Sequence, residues 1–344
     1  MKITGKIETQ RIEFGNPDVF SNPKAAHIGY GTDENFVMPM GVSMISVLEN
    51  NLQEPIAFHV LTEGISAKSI EKLRWIADKY PNCGVQIHFT DLSILAGLPI
   101  VALGKATYIR AFLEQILDVS VDRILYLDGD IVCLHSIEAL LHRDFQGKTV
   151  MVVEDVPVTA RKQEKKFQLQ HYFNAGMIFM DMQQWRKGKI SEHFLDVCFQ
   201  YKEKLNYLDQ DALNIVLKEQ KLLVENIYNF IPAAPDITEI PNDTVFLHYA
   251  GTKPWYCWLD FPLKKFFIKY YKMSPWKEES LQQPRNYRAR SKTARAWAGE
   301  ESLQQPRNYR EMHYMSRARW RQGKYCDSVY WFFKYIYTKV KKRG

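Results

Sequence analysis

Two aspartates separated by one residue, Asp128-Gly129-Asp130, stand directly after an apolar run, Arg123-Ile124-Leu125-Tyr126-Leu127. Residues i and i+2 of an extended chain point the same way, so a strand persisting through Gly129 would aim both carboxylates at one spot. Converging carboxylates repel unless a cation lies between them. Hard oxygen ligands suit Mn2+ or Mg2+, which keep coordination positions open for substrate phosphate oxygens. Gly129 would let a diphosphate approach the backbone closely. A solvated turn is the competing reading; the position at a strand's carboxyl end favours the metal, because open α/β sheets bind ligands there. His248 is the expected third ligand, in a strand, Thr244-Val245-Phe246-Leu247-His248, that runs into a polar loop. Its alternative is a hydrogen-bonded core histidine. Gly251 and Lys253 follow, a pliable backbone and a cation able to meet a diphosphate.

A second polar group, Asp209-Gln210-Asp211, opens a segment expected to be helical over 212–218. These three are the catalytic candidates: they would hold substrate hydroxyls or support positive charge developing on the substrate. Asp209 as a plain N-cap is the competing reading. Phe173-Asn174-Ala175-Gly176 is a polar, glycine-bearing break between apolar runs, with a simple turn as its alternative. Arg110 would clamp a diphosphate or form a surface ion pair. Asp155, just after a strand, is either a further site carboxylate or a turn former.

The elements that must position these groups alternate. Strands are expected at 26–30, 56–61, 85–89, 123–127 and 150–153, with helices at 38–48, 66–80, 107–117 and 190–201. Ser66 is the expected N-cap of its helix. Such alternation predicts an α/β fold with a mostly parallel sheet flanked by helices. Gly31-Thr32-Asp33-Glu34-Asn35 after the first strand and Asp128-Gly129-Asp130 after the fourth fall at the strand ends where ligands bind.

The chain has 344 residues, 46% of them hydrophobic, which allows a substantial core and excludes wholesale disorder. Five dispersed cysteines exclude a disulfide framework and point to a reducing compartment. Residues 1–14 carry no apolar signal region, and no apolar run approaches the ~20 residues of a membrane span. Charge is uneven. Residues 285–344 hold 16 Lys and Arg against 4 acidic residues, whereas 1–284 hold 30 against 35. The basic tail calls for an anionic partner. Residues 325–343 mix aromatics with cations, as segments on an anionic membrane surface do. Nucleic acid is not expected, because the tail carries no recognition module. An identical 11-residue string at 278–288 and 300–310 is too short a series for a solenoid and is assigned no function.

Taken together, the motifs resemble glycosyltransferase family 8, in the bacterial branch that extends the lipopolysaccharide core with glucose or galactose. The strings that carry the resemblance are Gly31-Thr32-Asp33-Glu34-Asn35-Phe36, Ala106-Thr107-Tyr108-Ile109-Arg110, Leu125-Tyr126-Leu127-Asp128-Gly129-Asp130, Tyr172-Phe173-Asn174-Ala175-Gly176, Asp209-Gln210-Asp211-Ala212-Leu213-Asn214 and His248-Tyr249-Ala250-Gly251-Thr252-Lys253-Pro254-Trp255. The resemblance implies a GT-A (Rossmann-like) fold over 1–250, with a basic, aromatic, helical extension over 251–344. It implies retaining transfer from a UDP-sugar with Mn2+ or Mg2+ held by Asp128, Asp130 and His248. By position, Gly31, Thr32, Asp33, Asn35 and Phe36 would line the uridine pocket, and Gly129, Gly251 and Lys253 would face the diphosphate. Arg110, Asp128, Asp155, Asn174, Ala175, Asp209 and Gln210 would hold the donor sugar. The implied acceptor is a lipopolysaccharide core oligosaccharide, and the implied place is the cytoplasm, peripheral on the inner face of the bacterial inner membrane. Another glycan or a protein-linked acceptor is the alternative within the family.

Overall fold

Runs with no polar face become the middle of a sheet. Every residue of Ile56-Ala57-Phe58-His59-Val60-Leu61-Thr62 is buried, and so are four of the five in Arg123–Leu127. Strands buried on both faces need helices on both sides, which is the parallel α/β arrangement. A computed structural model describes residues 7–99, 105–234, 236–257 and 259–281 and shows that arrangement.

The chain divides into two compact units. The first comprises Met1–Ile231, Pro241–His248 and Tyr270–Lys277. Its strands are β1 Glu8–Gly15, β2 Ala26–Gly31, β3 Ile56–Thr62, β4 Cys83–Thr90, β5 Arg123–Leu127, β6 Ile131–Cys133, β7 Val150–Glu154, β8 Phe173–Asp181, β9 Lys221–Leu223 and β10 Phe246–His248. Eight of them form one sheet in the order β1-β4-β3-β2-β5-β8-β7-β9. The run β4-β3-β2-β5 is parallel; β1 and β8 join antiparallel. A separate two-stranded ribbon pairs β10 with β6. It is fastened to helix Val37–Glu49 by the Ser46 hydroxyl, which accepts the Cys133 N–H at 2.8 Å. The N-cap expected at Ser66 is present: its Oγ accepts from Ser69 N–H at 3.2 Å.

The second unit comprises Pro232–Ile240, Tyr249–Lys269 and Glu278–Gly344. Among its described residues, the Tyr249 hydroxyl donates to Leu263 O at 2.8 Å, and the Trp255 and Phe267 rings lie 5.7 Å apart.

Three expectations change. Strand β1 was not anticipated; it is a sheet edge with mostly exposed side chains, so it lacks the apolar run that marks an interior strand. The helix expected over 107–117 is two 3-10 segments, Lys105–Thr107 and Ile109–Gln115, in which Ala111 N–H reaches back only to Tyr108 O. Phe173-Asn174-Ala175-Gly176 is not a turn but the first half of β8. There the pairing with β7 slips, from Val152↔Ile178 to Val153↔Asn174. That bulge breaks the alternation, which is why the stretch reads as an interruption.

The tail segments 285–344 and 325–343, and almost all of the duplicated string, lie outside the described residues. Among the described residues, no helix is long and apolar enough to cross a membrane.

Candidate active site

The two aspartates converge by a different route from the one expected. Strand β5 ends at Leu127, and Asp128–Ile131 is a tight turn closed by Ile131 N–H on Asp128 O at 3.2 Å. The turn, not strand alternation, folds the carboxylates toward each other. The ribbon then brings in the distant third group, because β10 pairs antiparallel with β6 and sets His248 opposite Ile131. One ligand atom from each of Asp128, Asp130 and His248 lies within 4.8 Å of the others. His248 Nε2 is 3.3 Å from Asp130 Oδ1. Two carboxylates and one imidazole form a hard donor set that suits Mn2+ or Mg2+, and Asp128 stays partly open to solvent. The glycines serve packing. A Cβ on Gly129 would press on Met40 at 3.2 Å, and one on Gly176 would overlap the His248 ring at 2.3 Å.

Arg110, which sequence alone left open to a surface ion pair, is buried. Its Nη2 lies 3.0 Å from Asp128 Oδ1 and its Nε 3.1 Å from Asp209 Oδ2. Its Nη1 donates to Ala175 O, and its guanidinium covers the Tyr126 ring at 4.5 Å. Burial opposes the charge, but Asp128 and Asp209 outweigh it and hold the guanidinium above its ordinary pKa. The Arg110 Nε–H is directed at Thr107 O, so Asp209 Oδ2 feels the cation without receiving a hydrogen bond and is left unsatisfied. Burial pushes the Asp209 pKa up to about 7, against the pull of Arg110.

The competing reading of Asp209 as an N-cap does not hold: the helix begins one residue earlier, at Leu208, and Asp209 falls in its first turn. Leu208 has a left-handed backbone, φ 43°, which costs a side-chain-bearing residue about 1–3 kcal/mol. Asp211 holds that bend. Its Oδ2 accepts Asn206 N–H and Tyr207 N–H at 2.6 and 2.9 Å, and its Oδ1 accepts the Tyr172 hydroxyl. Asp211 therefore departs from the expectation that it faces substrate beside Asp209: positions i and i+2 of a helix diverge, and both its oxygens are committed.

Gln210 lies at the centre of a network. Its Oε1 accepts Ala175 N–H at 3.0 Å and Asn174 Nδ2 at 3.2 Å; its Nε2 donates to Asp155 Oδ2 at 2.8 Å and Tyr172 Oη at 3.2 Å. Burial raises the Asp155 pKa, offset in part by bonds from Val156 N–H and Gln210. Asp155 both shapes its turn, through Val156 N–H at 2.7 Å, and joins this network.

After β2, Asp33 Oδ1 takes Asn35 N–H and Phe36 N–H at 2.9 and 3.1 Å and so shapes the loop into helix Val37–Glu49. Thr32 is buried, its N–H on Leu61 O, and Phe36 is half-buried. Gly251 and Lys253 belong to the second unit, where the Lys253 ammonium donates to Tyr249 O and Ala250 O.

Three participants went unnoticed in the sequence: Tyr126, whose hydroxyl donates to Asp128 Oδ1 at 3.2 Å, Tyr172 and Asn229. The tyrosines sit in apolar runs and read as core. Asn229, which meets His248 Nδ1 at 2.9 Å, stands in Asn226-Ile227-Tyr228-Asn229, where nothing in the spacing marks it.

Comparison with known proteins agrees with the geometry. The profile of glycosyl transferase family 8 matches residues 27–258, and that of the family 8 C-terminal region matches 261–296 and 290–339. The chain is 30% identical to a lipopolysaccharide 1,2-glucosyltransferase of Escherichia coli (strain K12), over 74% of this chain and 80% of the relative. It is also 30% identical to a lipopolysaccharide 1,3-galactosyltransferase of Salmonella typhimurium, over 75% and 81%. Its fold resembles that of the galactosyltransferase LgtC, solved with donor and acceptor sugar analogs, at TM-score 0.64 and 24% identity, covering 76% of this chain and 99% of that one.

Proposed function

The chain belongs to glycosyl transferase family 8, and from that premise we propose that it moves glucose or galactose from a UDP-sugar onto a lipopolysaccharide core oligosaccharide, with retention of configuration. One observation carries the reading: Asp128, Asp130 and His248 converge beside the buried Arg110 and Asp209 and the half-buried Gln210 in one compact unit. Asp128, Asp130 and His248 would hold Mn2+ or Mg2+. When bound, the ion supplies charge neutralisation to the departing diphosphate, worth several kcal/mol.

The chain's own residues do the rest. Gly31, Thr32, Asp33, Asn35 and Phe36 take the uridine, with Phe36 against the base. Gly129 meets the diphosphate. Arg110, Asp128, Asp155, Asn174, Ala175, Asp209 and Gln210 surround the donor sugar. The unsatisfied Asp209 Oδ2 suits a sugar hydroxyl, which would complete its bonding. Retention by double displacement needs a nucleophile opposite the leaving group. The Gln210 amide oxygen already accepts two hydrogen bonds, and Asp211 is committed to its loop. Both support front-face substitution instead, with the acceptor hydroxyl attacking beside the departing diphosphate and passing its proton to a phosphate oxygen of the donor.

In this reading 1–250 is the catalytic region and 251–344 an extension, whose basic, aromatic composition supports peripheral contact with the inner face of the bacterial inner membrane. The test is a screen of UDP-glucose and UDP-galactose against truncated core acceptors, with released UDP as readout. Transfer to a core acceptor is expected. Turnover with a donor but with no core acceptor would move the reading to another glycan.

A further inference from the structure

The hydrogen bonds behind His248 have a fixed polarity that follows from one backbone group. Gly176 N–H can only donate, and it meets one side-chain atom of Asn174 at 2.9 Å; that atom is therefore the oxygen, Oδ1. Asn229 reaches the same oxygen at 3.0 Å, so the Asn229 atom there must be its amino group, Nδ2. The other end of Asn229 is then its oxygen, an acceptor only, and it faces His248 Nδ1 at 2.9 Å. His248 Nδ1 must carry the proton. With Nδ1 engaged as the donor, Nε2 is the ring nitrogen left for an ion, and it is the atom turned toward Asp130 Oδ1 at 3.3 Å. The far side of Asn174 agrees. Its amino group donates to Gln210 Oε1, an atom independently fixed as oxygen by Ala175 N–H. Asn229 and Asn174 are both buried, so water does not compete for these bonds.

We infer that Asn229 is a positioning residue of the metal centre: it holds His248 with Nε2 bare for the ion, and through Asn174 it ties that imidazole to the donor-sugar group around Gln210. This rests on the metal reading given above. Partners behind a ligating histidine set its tautomer and orientation, and losing one typically weakens metal binding about 10–100-fold. Asn229 differs from an ordinary histidine partner in having two ends with separate tasks. Its oxygen serves the imidazole, and its amino group serves Asn174. The consequence is that the two tasks can be separated by substitution.

The test uses the full chain labelled with 15N-histidine, with the His248 signals identified by their loss in His248→Gln. In metal-free, alkaline buffer the wild type should show a protonated Nδ1 and a bare Nε2. Mn2+ titrations followed by electron paramagnetic resonance should show Asn229→Ala weakened about 10–100-fold. Asn229→Asp keeps an acceptor for Nδ1–H but loses the donor to Asn174. Its Mn2+ affinity should not fall, whereas its KM for the UDP-sugar should rise. A wild-type His248 protonated on Nε2 would overturn the inference, even if neither variant folds. So would Asn229→Ala binding Mn2+ as tightly as a wild type that does bind it. A wild type that binds no Mn2+ would overturn the metal reading itself, and the inference with it.

Discussion

On β2, β3 and β4 three imidazoles stand in a row: His27 Nδ1 meets His59 Nε2 at 3.0 Å, and His59 Nδ1 meets His88 Nε2 at 3.1 Å. The row ends at Glu8 on β1, whose carboxylate takes His88 Nδ1 at 2.7 Å and also pairs with Arg11. Past the carboxyl end of β5, Arg110 of the 3-10 segment Ile109–Gln115 is enclosed among Asp128, Asp209 and Ala175 O, next to Asp130 and His248. Both clusters are polar and largely buried, but they are completed differently. With neutral imidazoles, His27 gives one hydrogen bond, His59 and His88 each accept one and give one, and the carboxylate closes the series. In the other cluster Asp209 Oδ2 is unsatisfied, and His248 Nε2 stands 3.3 Å from an Asp130 oxygen. Buried polar groups are normally satisfied within the protein. The atom left unsatisfied in one cluster fits the proposal that this cluster takes a ligand, whereas the histidine row is bonded from strand to strand.

Three changes probe that difference. Arg110→Ala removes the one cation between two carboxylates. Breaking a buried ion pair costs about 3–5 kcal/mol. Because burial already pushes Asp209 up to about 7, it takes up a proton once the guanidinium is gone, and the loss should fall at the low end of that range. Denaturant unfolding would check this, and a loss under about 1 kcal/mol would show that the pair behaves as an exposed one. Gln210→Ala should leave stability less affected and slow transfer about 100-fold without abolishing it, measured as kcat. A sugar trapped covalently on Asp209 or Asp211 would sink front-face substitution.

The histidine row should respond only to pH. Burial lowers His27 and His88 to about 4 and His59 well below its ordinary value. Between those values and the unfolded value of about 6.5, the folded chain binds fewer protons than the unfolded one. The row's contribution is therefore whole above that value and lost as pH falls through the window, by up to about 1.4 kcal/mol per pH unit for each histidine. Arg11 adds to the cost of charging the row, while Glu8 offsets it at His88. Thermal melts from neutral to mildly acidic buffer should show this slope, flatter in His59→Gln. Equal slopes would remove the row from the acid response.

Much of this was legible in the sequence because it depends on local pattern. Continuous apolar runs announced β2, β3 and β5, and Ser66 announced its helix. Asp128, Asp130 and His248 could be grouped by their chemistry. What escaped was set by tertiary geometry. The aspartates meet across a turn rather than along a strand, and the β7–β8 slip hides Asn174 and Ala175 within what looks like a loop. Asp211 looks like Asp209 in sequence but points into its own loop, because a helix separates neighbours two apart. Asn229 meets His248 and Asn174 from the segment Asn226–Asn229, and no local spacing records those contacts.

The reading of Asp128, Asp130 and His248 as an ion-holding centre is tested by UDP release from the UDP-sugar in Mn2+ and in chelator, for wild type and Asp130→Asn side by side. The wild type should turn over only with the ion present. Asp130→Asn, with its unfolding transition unchanged, should not turn over in either. An Asp130→Asn variant that works in Mn2+ as the wild type does, or a wild type indifferent to chelator, would contradict it.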